Sequence, residues 1–193
     1  MVENTPELSS FINTRETRSD MPGPVGYEPR LGQIVCGDID MRIGLDAIWY
    51  YGGSPIGRIE LVRLFSTVLR RDDAGDYWLI TPAEMCRIQV EDAPYLAVEA
   101  TVTGADDDQT VTLRTNIDQT VAICADHPLR IAVDIDTGEP RPYVALDHGL
   151  EARLTRSVFY QLVDLAVEED VEGEHIYGIW SEGDFFPIGK PNT

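Results

Sequence analysis

The amino-acid sequence predicts a β-rich α+β protein built from two related strand–helix–hairpin units, with one main helix in each. Three observations support this fold class. Apolar residues recur at helical spacing within residues 61–68 and 158–166, as on one buried helix face. Between residues 87 and 143 the pattern changes to short alternating segments separated by polar turns, which is typical of strands. A shift of the chain by 98 residues superposes the two helical segments.

The first 30 residues are predicted to form a loose N-terminal arm, because they are polar, contain four prolines and show little periodicity. Residues 31–84 form the first predicted α+β half. Its strands are expected at 39–43, 47–51 and 77–80, on either side of the helix. We expect Ser54 to be the N-cap of this helix, because Pro55 follows it.

Residues 85–193 form the second, larger and β-rich half. Its second helix is predicted over 149–169, and a C-terminal hairpin turns at Glu182-Gly183. The strands expected in this half cover 87–91, 95–103, 110–116, 120–124, 129–134 and 175–180.

The internal repeat has a defined register. At the offset of 98 residues, identical residue types coincide at five positions without a gap. They are Arg58 with Arg156, Leu64 with Leu162, Asp72 with Asp170, Gly75 with Gly173, and Glu84 with Glu182. The apolar stripes of the two helices superpose in the same register, so a duplicated unit is predicted.

Composition restricts the function classes. A formal net charge of −19 repels phosphate backbones, so extended DNA or RNA binding is not expected. The first 20 residues resemble no secretory signal, and no apolar run reaches the roughly 18 residues of a membrane span. The three cysteines are far apart, without CxxC spacing. We therefore expect a cytoplasmic protein without disulfides or a membrane partner.

The sequence contains no motif that nominates a catalytic residue. GxxxxGK[ST] is absent, and the segment 52–57 fits neither GxSxG nor GxGxxG. The three histidines lack metal-ligand spacing, so neither a metal site nor a cofactor is expected. Two alternatives to a ligand-binding module stay open. One is a hydrolase that uses carboxylates such as Asp38, Asp40 or Asp92 with a metal, and the other is a protein-interaction module that uses a sheet edge or the second helix.

Arginines are the candidate ligand-binding residues, because an acidic chain has few cations. Arg58 lies near the start of the first helix, where free N–H groups attract anions. Arginines of the central β region, if they face one cleft, would hold a phosphate or carboxylate bidentately. The complete candidate set is Arg58, Arg87, Asp92, Arg114, Thr115, Asn116, Arg141 and Tyr143. Arg130 belongs to the same group of central arginines, and Trp49 is an alternative to Tyr143 for stacking on a base or ring.

Several motifs together resemble a proteobacterial family, the domain of unknown function numbered 1285. They are Cys36-Gly-Asp-Ile-Asp-Met41, Gly53-Ser-Pro-Ile56, Leu61-Val-Arg-Leu-Phe65, Val90-Glu-Asp-Ala-Pro94, Arg114-Thr-Asn116, His127-Pro-Leu129 and Gly138-Glu-Pro-Arg-Pro-Tyr143. The resemblance covers residues 30–189. One position departs from the family pattern, since Met85 stands where a basic residue usually follows Glu84.

The resemblance implies a duplicated core whose C-terminal half is similar to pleckstrin-homology folds. It also implies a nucleotide-like small molecule bound at the interface of the two halves, and a part in bacterial signal transduction or stress response. The sequence-based expectation is therefore a non-catalytic module that binds a small ligand, with a protein partner left open.

Overall fold

The computed structural model describes residues 22–190. The chain divides into two compact units, with the boundary between Asp92 and Ala93. This boundary lies beyond the one predicted after residue 84. The strand Glu84–Val90 accounts for the difference, because it pairs with two strands of the first unit.

The first unit is one six-stranded sheet with a single helix. Its elements are β1 (Ile34–Ile43), β2 (Trp49–Tyr51), β3 (Ser54–Pro55), α1 (Ile59–Val68), β4 (Leu69–Arg71), β5 (Tyr77–Ile80) and β6 (Glu84–Val90). The strand order is β3-β2-β1-β6-β5-β4, and only the β1–β6 pair is parallel. Phe65 of α1 stacks on Trp49 with ring centroids 6.1 Å apart, and both side chains are buried. The apolar face of the helix therefore packs into the core, as its periodicity predicted.

The prediction of Ser54 as a helix N-cap is wrong. Gly52 and Gly53 have φ values of +56° and +75°, which form a tight hairpin turn. Ser54 pairs with Tyr51 in that hairpin, and α1 begins at Ile59 with Arg58 as its N-cap. A glycine pair that accepts positive φ favoured the hairpin over an immediate helix start.

The predicted N-terminal arm lies outside the described residues up to position 21. The described remainder is fastened to the turn between β4 and β5. Val25 N–H donates to Asp72 Oδ2 at 3.0 Å, and Asp73 N–H donates to the Val25 carbonyl at 3.2 Å. Val25 therefore anchors this stretch to the first unit, while the looseness of the arm stays a prediction.

The second unit contains a six-stranded sheet, a three-stranded sheet and one helix. Its elements are β7 (Tyr95–Thr103), β8 (Thr110–Thr115), β9 (Thr120–Ala122), β10 (Leu129–Val133), β11 (Pro140–Ala145), β12 (Glu151–Leu154), α2 (Arg156–Asp164), β13 (Val167–Val171), β14 (Glu174–Ser181) and β15 (Asp184–Gly189). The larger sheet has the order β10-β11-β12-β7-β8-β9, with β12 and β7 parallel. The smaller sheet is β13-β14-β15. Ser181 Oγ accepts the Val111 N–H at 2.9 Å, which joins the smaller sheet to β8.

The second helix is shorter than predicted. It covers Arg156–Asp164 rather than 149–169, because the residues on both sides of it form strands. Ala152 in β12 pairs with Tyr95 in β7, and Val167 in β13 pairs with Gly178 in β14. Strand pairing thus supplied the backbone hydrogen bonds that the periodicity had assigned to a helix.

The two units follow the same element order across the repeat. In both units the helix leads directly into an antiparallel hairpin, formed by β4–β5 and by β13–β14. Gly75 and Gly173 adopt left-handed backbone conformations in the two hairpin turns, with φ of +92° and +85°. The predicted α+β, β-rich and duplicated fold class is confirmed. Within residues 22–190, no helix has the length and apolarity needed to cross a membrane.

Candidate functional site

An open cleft of about 650 Å³ lies within the second unit and is here called the α2 cleft. Strands β11 and β12 form one side, the start of α2 forms another, and the loop between β10 and β11 forms a lip. The lining residues are Leu96, Asp134, Thr137, Glu139, Pro140, Arg141, Pro142, Arg153, Leu154, Thr155, Arg156, Phe159 and Tyr160.

Three arginines surround this cleft, and each comes from a different element. Arg141 lies in β11, Arg153 lies in β12, and Arg156 is the first residue of α2. Because β11 and β12 are adjacent antiparallel strands, their side chains are brought together by the sheet itself. The helix begins directly after β12, which places Arg156 at the same edge.

The loop at the lip is organised by Asp134. Its Oδ1 accepts the N–H groups of Asp136 and Thr137, both at 2.9 Å, and its other carboxylate oxygen pairs with Arg141. Hydrogen bonding from Thr137 is the main cause that holds the pKa of Asp134 below its ordinary value. The carboxylate is therefore charged, and it keeps Arg141 at the rim of the cleft.

Arg156 is held less firmly. It pairs with Glu139 at 3.2 Å, and the two side chains are 71% and 62% exposed. An ion pair this exposed contributes only about 0–1 kcal/mol, because water competes with it. An incoming anion could therefore displace Glu139 from Arg156 at small cost.

The N-terminus of α2 adds backbone donors to the cleft. The first turn, Arg-Ser-Val-Phe, contains no acid, whereas the first turn of α1 contains Glu60. The positive end of the α2 dipole is thus not neutralised within its own first turn. The aromatic rings of Phe159 and Tyr160 follow one helical turn later, and Tyr160 is 57% exposed.

The charge balance of the α2 cleft is opposite in sign to that of the whole chain. Three arginines stand against two carboxylates, Asp134 and Glu139, which leaves a net charge of +1. The chain as a whole carries −19. A local cation excess in such a chain marks the α2 cleft as a place where a small anion can bind.

A smaller cleft of about 340 Å³ lies in the first unit around Arg87. Its arginine forms two ion pairs, bidentate to Asp38 at 2.5 and 3.0 Å and single to Asp76 at 3.1 Å. The bond with Arg87 is the main cause that lowers the pKa of Asp38, and the same bond raises that of Arg87. With two carboxylates on one guanidinium, this cleft is not suited to an anionic ligand.

Arg114, Thr115 and Asn116 form a structural turn. Arg114 pairs with Glu99 at 2.6 Å and with Asp118 at 2.8 Å. Thr115 is buried, and its hydroxyl accepts the N–H of the residue four positions on at 3.1 Å. The Asn116 side chain accepts the Leu96 N–H at 3.1 Å, and the Asn116 N–H donates to the Leu96 carbonyl at 2.8 Å. These contacts fasten the end of β8 to β7.

The remaining candidates are dispersed. Tyr143 is buried in β11 beneath the Arg130 guanidinium, which lies 4.3 Å from its ring centroid, while Arg130 pairs with Glu151 at 2.5 Å. Arg58 is exposed at the N-cap of α1, and Asp92 is the last residue of the first unit. Of the eight candidate residues, only Arg141 lines the α2 cleft. The prediction of a ligand at the interface of the halves stays a prediction.

Sequence reasoning missed Arg153 and Arg156. The repeat contained a signal for Arg156. The 98-residue offset superposes Arg156 on Arg58, which had been proposed to bind an anion at the start of a helix. Arg153 had no such signal, since its position depends on a strand where a helix had been predicted.

The carboxylates proposed for a hydrolase do not assemble into a metal-binding group. Among residues 22–190, the cluster of three side chains able to hold a metal ion is Cys36, Glu84 and Cys86. Asp38 instead pairs with Arg87. The hydrolase and the protein-interaction module stay predictions.

Comparison with known proteins identifies the family. Residues 32–93 match the family model described as domain of unknown function (DUF1285), N-terminal domain, and residues 94–188 match the one described as protein of unknown function (DUF1285), C-terminal domain. These matched ranges meet one residue beyond the boundary between the two compact units. No curated protein matches the chain.

Two solved structures are similar to this chain. A DUF1285 family protein from Silicibacter pomeroyi DSS-3 is 40% identical over 93% of both chains, with a TM-score of 0.77. A DUF1285 family protein from Shewanella baltica OS155 is 28% identical, with a TM-score of 0.51, over 65% of this chain and 91% of the other. The family resemblance noted in the sequence motifs is thereby confirmed, and the chain belongs to the DUF1285 family.

Proposed function

We propose that this protein is a non-catalytic module that binds a small, nucleotide-like anion in the α2 cleft. The observation that carries the proposal is the convergence of Arg141, Arg153 and Arg156 on one open cleft at the N-terminus of α2. Guanidinium groups and free helical N–H groups are the donors that phosphate oxygens accept best.

The chemistry of the cleft favours a phosphorylated ligand with a ring over a bare anion. Arg156 and the start of α2 would hold the phosphate, while Tyr160 offers an exposed aromatic face one turn away. A volume of about 650 Å³ is within the range of small-molecule sites. Phosphate at the helix start and a base against Tyr160 would use both features.

The absence of a suitable acid–base pair supports binding over turnover. Among the described residues that line the cleft there is no histidine or cysteine, and the pKa of Asp134 is lowered by the loop that holds it. A general base near neutral pH needs a pKa shifted in the other direction. In the signal transduction or stress response that the family resemblance implies, the bound or unbound state of the cleft would then be the signal.

The experiment is a thermal-shift screen of the full chain against adenine and guanine nucleotides, followed by calorimetric titration of those that raise the melting temperature. We expect the Arg156→Ala variant to bind about tenfold to a hundredfold more weakly, which is the loss expected for one charge-assisted hydrogen bond.

Arg114→Ala is the matched control. Like Arg156→Ala, it removes one arginine from an ion pair of the second unit, but Arg114 lies in β8. Strands β12 and β7 separate β8 from β11, a spacing of about 14 Å across the sheet. We expect its affinity to equal that of the unmodified protein. Equal weakening by both variants, or no stabilisation by any nucleotide, would refute the proposal.

A further inference from the structure

The first unit contains a group of side chains that the proposed function does not use. The thiols of Cys36 and Cys86 and the carboxylate of Glu84 lie with their donor atoms all within 4.8 Å of one another. Glu84 and Cys86 are two residues apart on β6, so their side chains point to the same face of the sheet. Cys36 reaches them from β1, at an irregularity between Val35 and Gly37 in the β1–β6 pairing.

The irregularity explains how the third donor joins the other two. Val35 pairs with Met85 and Gly37 pairs with Cys86, which leaves Cys36 as an additional residue on β1. A bulge of this kind re-aims the side chain of the extra residue. Gly37, with φ of +73°, accommodates the local backbone turn.

We propose that Cys36, Cys86 and Glu84 bind one thiophilic divalent cation of the Zn²⁺ type. Two sulfurs and a carboxylate oxygen form a three-ligand set that leaves a fourth position for water. Tetrahedral Zn²⁺ with its usual bond lengths needs donor atoms about 3.5–3.8 Å apart. A spacing within 4.8 Å reaches this value by side-chain shifts of about 1 Å. Sulfur ligands select such a cation over Mg²⁺ or Ca²⁺.

The electrostatics of the group change when a cation arrives. Burial is the main cause that raises the pKa of both cysteines, and the Glu84 carboxylate adds to both increases. Without a cation, Cys36 and Cys86 are therefore neutral thiols next to a carboxylate. When the cation binds, two S–H bonds break, two metal–sulfur bonds form, and two protons leave to solvent, so the charges balance without any redox step.

The repeat predicts the stoichiometry. The 98-residue offset places Glu182 on Glu84 but Asp184 on Cys86, so the second unit has no equivalent pair of thiols. The remaining cysteine, Cys124, is half-buried in the second unit and outside the cluster. We expect one cation for each chain. The site is independent of the proposed anion cleft, because the two use residues of different units.

The test is titration of the reduced full chain with Cd²⁺, followed by the ultraviolet absorption of cadmium–thiolate bonds, with Zn²⁺ as competitor. We expect one equivalent of Cd²⁺ to saturate the signal, in the unmodified protein and in Cys124→Ala alike. Cys36→Ala and Cys86→Ala should each weaken Cd²⁺ binding by more than about 100-fold. This loss exceeds the one expected when a residue that only contacts a metal ligand is removed. Occupancy should raise the melting temperature by about 5–10 °C at a hundredfold excess over Kd.

Glu84→Gln keeps the test valid if a cysteine variant fails to fold. The Glu84 side chain is only partly buried, and an amide oxygen is a weaker ligand, so Cd²⁺ affinity should fall by about 10–100-fold with the thiolate signal retained. Absence of thiolate absorption at one equivalent, loss of the signal in Cys124→Ala, or unchanged affinity in Cys36→Ala would overturn the proposal.

Discussion

Asp72 offers a test of how the first unit is held together, and the duplication supplies its control. The Asp72 side chain is 6% exposed and accepts four hydrogen bonds. Oδ2 accepts Val25 N–H and Trp78 Nε1–H, both at 3.0 Å. Oδ1 accepts Ala74 N–H at 3.0 Å and Asp76 N–H at 2.8 Å. One carboxylate thus joins the N-terminal segment, the hairpin turn and the core tryptophan.

Asp72→Asn removes half of this acceptor capacity. The amide oxygen can still accept two bonds, but the amide NH₂ faces two donors and leaves them unpaired. Each unsatisfied buried donor costs about 1–3 kcal/mol, so we expect the two together to lower the free energy of unfolding by about 2–6 kcal/mol. Asp170, its counterpart in the repeat, is exposed and accepts the Gly173 N–H at 2.8 Å. Asp170→Asn should change stability by no more than about 0.5 kcal/mol.

The assay is urea unfolding of the full chain followed by far-ultraviolet circular dichroism, which reports the loss of structure in both units and therefore registers either substitution. Burial alone raises the pKa of Asp72, but the hydrogen bonds from Val25, Asp76, Trp78 and Ala74 outweigh it and hold the pKa below its ordinary value. The stabilisation is therefore complete above about pH 4 and is lost as the pH falls through the depressed value. Equal effects of the two substitutions at neutral pH would refute this reasoning.

Three further predictions concern the α2 cleft, the contact between β7 and the end of β8, and the core of the first unit. Tyr160→Ala should weaken nucleotide binding at least about fivefold while leaving the affinity for inorganic phosphate unchanged, because base stacking is worth about 1–3 kcal/mol. Calorimetric titration of both ligands measures the difference. Asn116→Ala should lower the free energy of unfolding by about 1–3 kcal/mol in urea, because the Leu96 N–H loses its acceptor. Phe65→Ala should cost about 3–5 kcal/mol by the same measurement, since it leaves a cavity against Trp49.

The sequence predicted strands well where alternation and turn residues coincide. The strand predicted at 95–103 is β7 with the same bounds, and the one at 77–80 is β5. In both cases, the pattern of apolar residues and the flanking turns favour the same structure. The helices were less predictable, since 149–154 and 167–169 carry apolar residues that suit either a helix face or a strand.

The site was less accessible to sequence reasoning than the fold. Arg114 was singled out for its neighbours Thr115 and Asn116, yet those neighbours form the turn that ends β8, and local carboxylates pair with the arginine. Arg153 was overlooked because convergence on a cleft depends on which strands are adjacent, and sequence order does not determine that. The sequence shows which residues of an acidic protein are arginines, but it does not show which of these arginines lie close together on the folded surface.

The most direct test of the central claim is a crystal structure of the full chain with a nucleotide that stabilises it. We expect a phosphate group between Arg141 and Arg156 at the N-terminus of α2, with Glu139 displaced from Arg156 and the base against Tyr160. A nucleotide bound beside Arg114, or anywhere with the Arg156–Glu139 pair intact, would contradict the account.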